Sequence, residues 1–145
     1  MKVNIKKLDN RATIPTYGTP FSAGADLYSM KGDDVTIPPH GTVMVHTGLA
    51  VEIPEGYCGL IFARSGLATK RGVAPANKVG VVDSDYRGEW MVALHNHTDL
   101  PVTVEGGERV AQMCILPCVQ AVFNLTDELS DTLRGAGGFG STGTK

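Results

Sequence analysis

The amino-acid sequence predicts an all-β protein, and three of its features support that prediction. Short runs rich in Val, Ile, Thr and Tyr follow one another closely along the 145 residues. Apolar and polar residues alternate with period two at 42–47 and 101–104, which is typical of strands with one buried face. Turn-forming segments such as 38–41 and 54–56 separate the runs. Many short strands at close spacing favour a sandwich or barrel, here a jelly-roll-like distorted β-barrel.

The individual elements follow from the same signals. The segments predicted to be strands are 2–7, 25–28, 34–37, 42–47, 49–53, 57–63, 78–82, 88–95, 101–104 and 109–116. Residues 65–71 are predicted to form the one short helix, with Ser65 as its N-cap. Residues 1–124 are predicted to form the barrel, and 125–145 a flexible, glycine-rich C-terminal arm of the same single domain.

Bulk properties exclude several classes of protein. A chain of 145 residues is long enough for one domain with a real core. The net charge of −2 gives no electrostatic reason to expect a nucleic-acid or membrane partner. The chain lacks an apolar run long enough to span a bilayer, and its first residues lack the apolar stretch of a signal peptide. Three cysteines make no disulfide framework, so we expect a reducing, cytoplasmic location.

The segment 80–90 combines two carboxylates, Asp83 and Asp85, with Tyr86 in a polar, hairpin-like turn between apolar runs. Asp and Ser are common in turns because their short side chains bond the local backbone, and this is the usual role of such a cluster. A carboxylate that is partly desolvated at a strand end is also suited to act as a general base.

Two further segments hold charged groups at the ends of predicted strands. Arg64, Ser65 and Gly66 stand where a strand meets the helix, so a guanidinium, a hydroxyl and backbone N–H groups come together as an anion site. Asp26 is the one acid in a small, apolar strand. A buried carboxylate needs a partner, either a structural arginine or a cation, and the arginine is favoured.

Two segments near the C-terminus are also suited to ligand binding. Gln112 shares an apolar strand face with Val110 and Cys114, so its amide must bond to backbone or to a ligand. The run 134–143 contains Arg134, Phe139 and five glycines, which let backbone N–H groups approach phosphate oxygens closely. A disordered terminus is the simpler interpretation of that run.

These five segments, in this order and spacing, resemble the five motifs of the trimeric, all-β dUTP diphosphatases (dUTP pyrophosphatases). The resemblance extends from residue 22 to residue 143. Two positions depart from it: Ala63 stands where proline is more common, and Trp90 is a large residue after the acidic turn. The resemblance implies hydrolysis of dUTP to dUMP and pyrophosphate, which limits uracil incorporation into DNA and supplies dUMP for thymidylate synthesis.

The resemblance also implies roles for individual residues. Asp83 matches the general base that activates water, and Asp26 matches an acid that holds Mg²⁺ through water. The residues that match nucleoside contacts are Asn77, Val81, Val82, Tyr86 and Phe139, and Met91 lies where a substrate-lining residue is expected. Those that match phosphate contacts are Arg64, Ser65, Gly66, Gln112, Arg134, Gly140, Ser141 and Thr142. The family's sites lie between subunits, which implies a homotrimer.

Two alternatives remain open from the sequence. A dCTP deaminase of the same superfamily would need a Glu near C4 of cytosine, and the acidic turn together with the complete glycine-rich arm argue for hydrolysis instead. A module that binds dUTP without catalysis would be favoured if Asp83 or Arg134 were missing, and both are present.

Overall fold

The computed structural model describes residues 1–139 and 141, and within them the chain forms twelve strands and one helix. In chain order the elements are β1 (Asn4–Lys7), β2 (Thr16–Tyr17), β3 (Ala25–Tyr28), β4 (Val35–Ile37), β5 (Thr42–His46), β6 (Leu49–Glu52), β7 (Tyr57–Phe62), α1 (Ser65–Arg71), β8 (Val73–Pro75), β9 (Val79–Val82), β10 (Met91–Asn96), β11 (Val102–Val104) and β12 (Arg109–Pro117). The predicted all-β, jelly-roll-like class with one short helix is confirmed. The strands β2 and β8 were not predicted.

Every strand pairing in the described residues is antiparallel. The largest sheet has the order β2-β3-β12-β7-β9, and a second has the order β5-β10-β8. Two-stranded ribbons, β1-β6 and β11-β4, complete the barrel. Neighbours in the largest sheet are distant in sequence: β12 lies between β3 and β7, and this pairing gathers the charged residues described below.

One apolar core joins the sheets. Each sheet contributes buried side chains to it, among them Leu27, Ile37, Val45, Val51, Ile61, Val73, Val92, Leu94, Val104 and Val110. Trp90 is also buried in this core, although it directly follows the polar turn. Apolar residues at alternate positions of β5 and β10 face inward, as the period-two pattern requires.

The helix begins differently from the prediction. Ser65 is the first helical residue, and the N-cap position belongs to Arg64, whose backbone is extended and whose side chain makes no capping bond. The helix ends at Gly72, whose φ of 65° is the left-handed conformation that favours glycine, and its N–H donates to Leu67 O. Arg64 is therefore free of a capping role and its side chain binds elsewhere.

The described residues beyond Cys118 lie outside the barrel core. After Pro117 the apolar side chains of the described residues are almost completely exposed, namely Val119, Val122, Phe123, Leu125, Leu129, Leu133 and Phe139. The barrel's last strand therefore ends before the predicted boundary at residues 124/125, and that boundary stays a prediction.

We expect Gly59→Ala to destabilise the barrel by about 1–3 kcal/mol, because added volume in a packed core forces its neighbours to move. A Cβ at Gly59 would lie 2.8 Å from the Trp90 ring and 3.0 Å from Ile53 Cδ1. The measurement is urea unfolding followed by Trp90 fluorescence. Gly138→Ala is the matched control, because a Cβ there meets nothing within 4 Å. Equal unfolding midpoints for the two variants would contradict the prediction.

Candidate active site

A polar cavity of about 290 Å³ lies between β3, β12 and the start of α1. Its charged and amide side chains are Asp26, Arg64, Arg109 and Gln112. The strand register explains how they meet. Gln112 of β12 lies opposite Asp26 of β3 on one side and opposite Phe62 of β7 on the other. Arg64 follows Phe62 by two residues, so it comes close to the same place. The structure thus brings together residues of three predicted motifs.

Asp26 is the electrostatic centre of this cavity. Its Oδ1 lies 2.7 Å from Arg64 Nε, and its Oδ2 lies 3.3 Å from Arg109 Nη1. The Asp26 side chain is only 10% exposed and that of Arg64 27%, so solvent screens this pair less than a surface pair. The prediction that Asp26 pairs with an arginine is confirmed, and the arginine is Arg64. With two guanidinium groups around one carboxylate, the cavity carries a net positive charge and is suited to an anion.

Gln112 is fixed by the backbone. Its Nε2 donates to Ala63 O at 2.9 Å, as its position in an apolar strand required. A Cβ on Gly24 would lie 2.7 Å from Gln112 Oε1, so glycine is needed for the loop to approach this amide. Ser65 also lines the cavity, whereas Gly66 lies in the first turn of α1 with open space around it.

A second cavity, of about 250 Å³, is lined by residues of β5, β7, β9 and β10 and of the polar turn. Most of its lining is apolar, from Met44, Ile61, Val81, Val82, Trp90 and Met91. Asp83, Tyr86 and Glu89 add polar groups at the same place. An apolar cleft with a few fixed polar groups is the usual form of a small-molecule site.

The polar turn is well ordered by its own contacts. The Tyr86 hydroxyl donates to Glu89 O at 3.0 Å, and a side chain on Gly88 would collide with that hydroxyl. Glu89 in turn accepts from Gly48 N at 2.7 Å. These contacts hold the Tyr86 ring beside Asp83, at the edge of the cavity.

Two expectations about this turn are corrected. It is not a hairpin, because β9 pairs with β7 while β10 pairs with β5 and β8, so the turn crosses between two sheets. Partial desolvation of one carboxylate is not seen within a single chain, where both Asp83 and Asp85 are exposed. Asn77 lies before β9, with its Nδ2 close to Gly80 and outside the lining of the apolar cavity.

Among the predicted arm residues, the described ones line neither cavity in a single chain. Arg134 Nε donates to Gly137 O at 2.8 Å, within the arm itself, and Phe139 is fully exposed. Ser141 N donates to Gly138 O at 3.0 Å. Gly140 and Thr142 lie outside the described residues. The two cavities share no lining residue. In a single chain, the residues of the polar cavity, those of the apolar cavity and the described residues of the arm therefore form three separate groups.

Arg109 is a cavity residue that the sequence analysis missed. A regular strand would place Arg109 and Gln112 on opposite faces, because they are three residues apart. The register of β12 against β3 shifts between Arg109 and Ala111, and such a bulge turns the two side chains toward the same cavity. Periodicity alone gives no signal for a bulge at this position.

The described residues contain no group of three or more His, Cys, Asp or Glu side chains placed to hold a metal ion. Among the described residues that line the polar cavity, Asp26 provides the one carboxylate. Mg²⁺ keeps several waters and is commonly bound by one or two carboxylates plus substrate phosphates. The donor set therefore fits an ion that arrives on a phosphate chain. Among the same residues, no helix is long and apolar enough to cross a membrane.

The fold and the two cavities define a class: jelly-roll-like, all-β proteins with an anion-binding cavity and a separate apolar one. Comparison with known proteins specifies it further. Residues 10–143 match the family model described as dUTPase. A deoxyuridine 5'-triphosphate nucleotidohydrolase of Nautilia profundicola is 51% identical over 143 residues, which cover 99% of each chain. The chain therefore belongs to the dUTPase family.

Solved structures agree with this assignment. The dUTPase of Staphylococcus bacteriophage 80alpha with dUPNHPP superposes with a TM-score of 0.90, at 27% identity and 99% coverage of both chains. A mutant dUTPase from phage phi11 of S. aureus, described as coordinating a structural Mg(II) ion, has a TM-score of 0.80 over 88% of this chain and 98% of its own. At 23% identity that second likeness bears on the fold alone.

Proposed function

We propose that this protein hydrolyses dUTP to dUMP and pyrophosphate. The observation that carries the proposal is an apolar cavity of nucleoside size that ends on Asp83 and Tyr86, in a chain of the dUTPase family. Both the acidic turn and the arginine-lined cavity are present, which favours a hydrolase over a module that only binds. The unpaired cysteines fit a reducing, cytoplasmic location.

The nucleoside occupies the apolar cavity. Tyr86 packs beneath deoxyribose and leaves no room for a 2′-hydroxyl, while Met91 contributes to the wall. Uracil presents an acceptor–donor–acceptor edge, which the backbone of Val81 and Val82 complements. The Asn77 amide, whose Nδ2 lies beside Gly80, bonds the same edge from outside the cavity lining. Cytosine leaves some of these groups unpaired, and such mismatches supply discrimination of about 10⁴-fold or more.

The triphosphate occupies the polar cavity. Arg64, Ser65, Gly66 and Gln112 contact it, and the first N–H groups of α1 lack partners within the helix. Arg109 exchanges Asp26 for a phosphate oxygen, because its 3.3 Å bond is the longer of the two and its side chain is half exposed. Once released by this exchange, Asp26 would hold Mg²⁺ through one of the ion's waters.

Hydrolysis requires a water, a base and a stabilised leaving group. Asp83 accepts a proton from water as the water oxygen bonds to the α-phosphorus, and the bond to the bridging oxygen of pyrophosphate breaks. Arg64 and Arg109 offset the charge on the phosphates. Mg²⁺, when bound, orients the phosphate chain and polarises the phosphorus.

The separation of the cavities within one chain calls for more than one copy. We infer a homotrimer in which the nucleoside cavity of one subunit faces the polar cavity of a second, and a third subunit provides the arm. The exposed apolar side chains between residues 119 and 133 support this arrangement, because several such side chains on one segment are normally covered by another surface.

A nucleotide panel tests the reaction itself. We expect Mg²⁺-dependent release of pyrophosphate from dUTP, with dCTP and dTTP turned over far more slowly. Release of ammonia from dCTP would indicate the deaminase instead. Tight binding of dUTP without turnover would indicate the non-catalytic module.

Shared sites predict complementation between two inactive chains. An Asp83→Asn chain mixed with a chain that ends at residue 130 should regain activity, because some mixed trimers contain an intact base and an intact arm at one site. Light scattering should give the trimer mass. A monomer mass at micromolar concentration together with full activity would contradict the shared site.

Arg109→Gln should weaken the capture of substrate. A hydrogen bond to a charged group contributes about 1.5–3 kcal/mol, so kcat/KM for dUTP should fall about 10- to 100-fold. The control is Arg11→Gln, which breaks ion pairs to Asp9 and Asp33 far from either cavity. An unchanged kcat/KM for Arg109→Gln, with the thermal midpoint retained, would remove Arg109 from the phosphate site.

A further inference from the structure

Two thiols meet where the arm leaves the barrel. Cys58 lies in β7 opposite Leu116 of β12, and Tyr57 lies opposite Pro117. Cys118 follows β12 and extends the ladder by one rung, because its N–H donates to Gly56 O at 2.8 Å. Side chains alternate along strands, so Cys58 and Cys118 are diagonal neighbours on one face.

The same face borders the proposed general base. Cys58 and Cys118 line a cavity of about 850 Å³ together with Asp83 and Asp85. Burial raises the pKa of the Cys58 thiol, and the adjacent Cys118 thiol and the Asp83 carboxylate raise it further. Cys118 is exposed and Cys58 is half-buried, so a reagent in solvent reaches Cys118 first.

The third cysteine has a different environment. Cys114 lies opposite Leu60, on the other diagonal from Cys58. Its Sγ donates to Ala23 O at 3.4 Å, on the side of β12 that faces β3, and it does not line the cavity. Cys118 is therefore the better placed partner for Cys58.

We propose that Cys58 and Cys118 are a dithiol modification site, which a small-molecule disulfide oxidises to an intramolecular disulfide that moves the root of the arm and slows turnover. The effect on turnover rests on the proposed function, whereas the bond itself does not.

The chemistry balances with one equivalent of the oxidant. The Cys118 thiolate attacks one sulfur of the small disulfide, forms a mixed disulfide and releases one thiolate. The Cys58 thiol then loses its proton and attacks the Cys118 sulfur, which releases the second thiolate. Two protein thiols lose two electrons in total, and the small disulfide becomes two thiols.

The geometry of the ladder couples this bond to the arm. Diagonal neighbours in a sheet are about 7–8 Å apart between Cα atoms. A disulfide joins Cα atoms about 4.4–6.8 Å apart, so Cys118 must move toward Cys58 for the bond to form. Cys118 is able to move because it lies one residue beyond the end of β12 and is itself exposed. The displaced segment is the one that carries Arg134.

The test uses a full-length Cys114→Ser variant, treated with oxidised glutathione and digested without reduction. We expect a single linked peptide pair joining Cys58 to Cys118 within one chain, a several-fold lower kcat for dUTP with little change in KM, and recovery with dithiothreitol. Cys118→Ser, which retains Cys58 and Cys114, should form no intramolecular link and should keep its kcat under the same treatment.

Other outcomes overturn the proposal. A glutathione adduct without an intramolecular link, a link between chains, or a Cys58–Cys114 link in the unmutated protein would refute the site. A Cys58–Cys118 link that leaves kcat unchanged would refute the coupling to the arm. If the protein does not hydrolyse dUTP, the peptide map still shows whether the disulfide forms. Failure of the proposed function can therefore be distinguished from failure of the proposed dithiol site.

Discussion

Asp83→Asn should lower kcat for dUTP hydrolysis by about 10²–10⁴-fold, the range that a positioned general base contributes. Asparagine keeps the shape of the side chain but cannot accept the proton from water. Nucleotide binding should largely survive, because the apolar cavity and Tyr86 are unchanged. The measurement is pyrophosphate release at saturating dUTP, paired with equilibrium binding of dUTP to the variant.

Asp85→Asn is the matched control, since Asp85 is exposed in the same turn and does not line the apolar cavity. Its loss of activity should be much smaller. Near-parental turnover by Asp83→Asn would exclude this residue as the base. In ¹⁸O water the label should enter dUMP at the α-phosphorus, and label in pyrophosphate would refute the stated point of attack.

A chain that ends at residue 130 should fold and assemble but hydrolyse dUTP slowly. All the described strands and the core lie before residue 118, so the truncation removes no packed element. It removes Arg134, which we expect to close over the triphosphate, and Phe139, whose stacking on uracil should contribute about 1–3 kcal/mol. Loss of an arginine finger costs about 10³–10⁵-fold in kcat elsewhere. We expect less here, because Arg64 remains.

Single substitutions separate the contributions within the arm. Arg134→Ala should lower kcat, and Arg134→Lys should restore part of it, because lysine keeps the charge but lacks the forked donor. Hydrogen exchange should be fast in residues 134–143 of the free protein and slower once nucleotide is bound. If the truncated chain matches the intact one in turnover, the arm is only a frayed terminus.

Much of the fold could be predicted because strand signals are local. The prediction of 25–28 matches β3 at both ends, and that of 65–71 matches α1. The missed strands are the two-residue β2 and the three-residue β8, which contains Pro75. Such segments are too short for an alternation pattern, and they are strands because their partners, β3 and β10, are in place.

The candidate site was less accessible to sequence analysis. The need of Asp26 for an arginine followed from the cost of burying a lone carboxylate. The second arginine, Arg109, could not be predicted in this way, because a bulge in β12 turns its side chain to the face opposite the one that strand periodicity predicts. The diagonal placement of Cys58 beside Cys118 also depends on register, since the two cysteines are sixty positions apart in the sequence.

Local sequence signals were enough to predict most of the strands, the side chains apolar enough to be buried, and the order of the reactive groups along the chain. The tertiary structure decided which of those groups meet. The alternation of apolar and polar residues predicts whether a side chain lies on the core face of its strand, but it does not predict which other strand pairs with that strand. That choice rests on packing across long separations, such as the 83 residues between Asp26 and Arg109. Placing β12 between β3 and β7 therefore makes an anion cavity out of residues that are scattered along the chain.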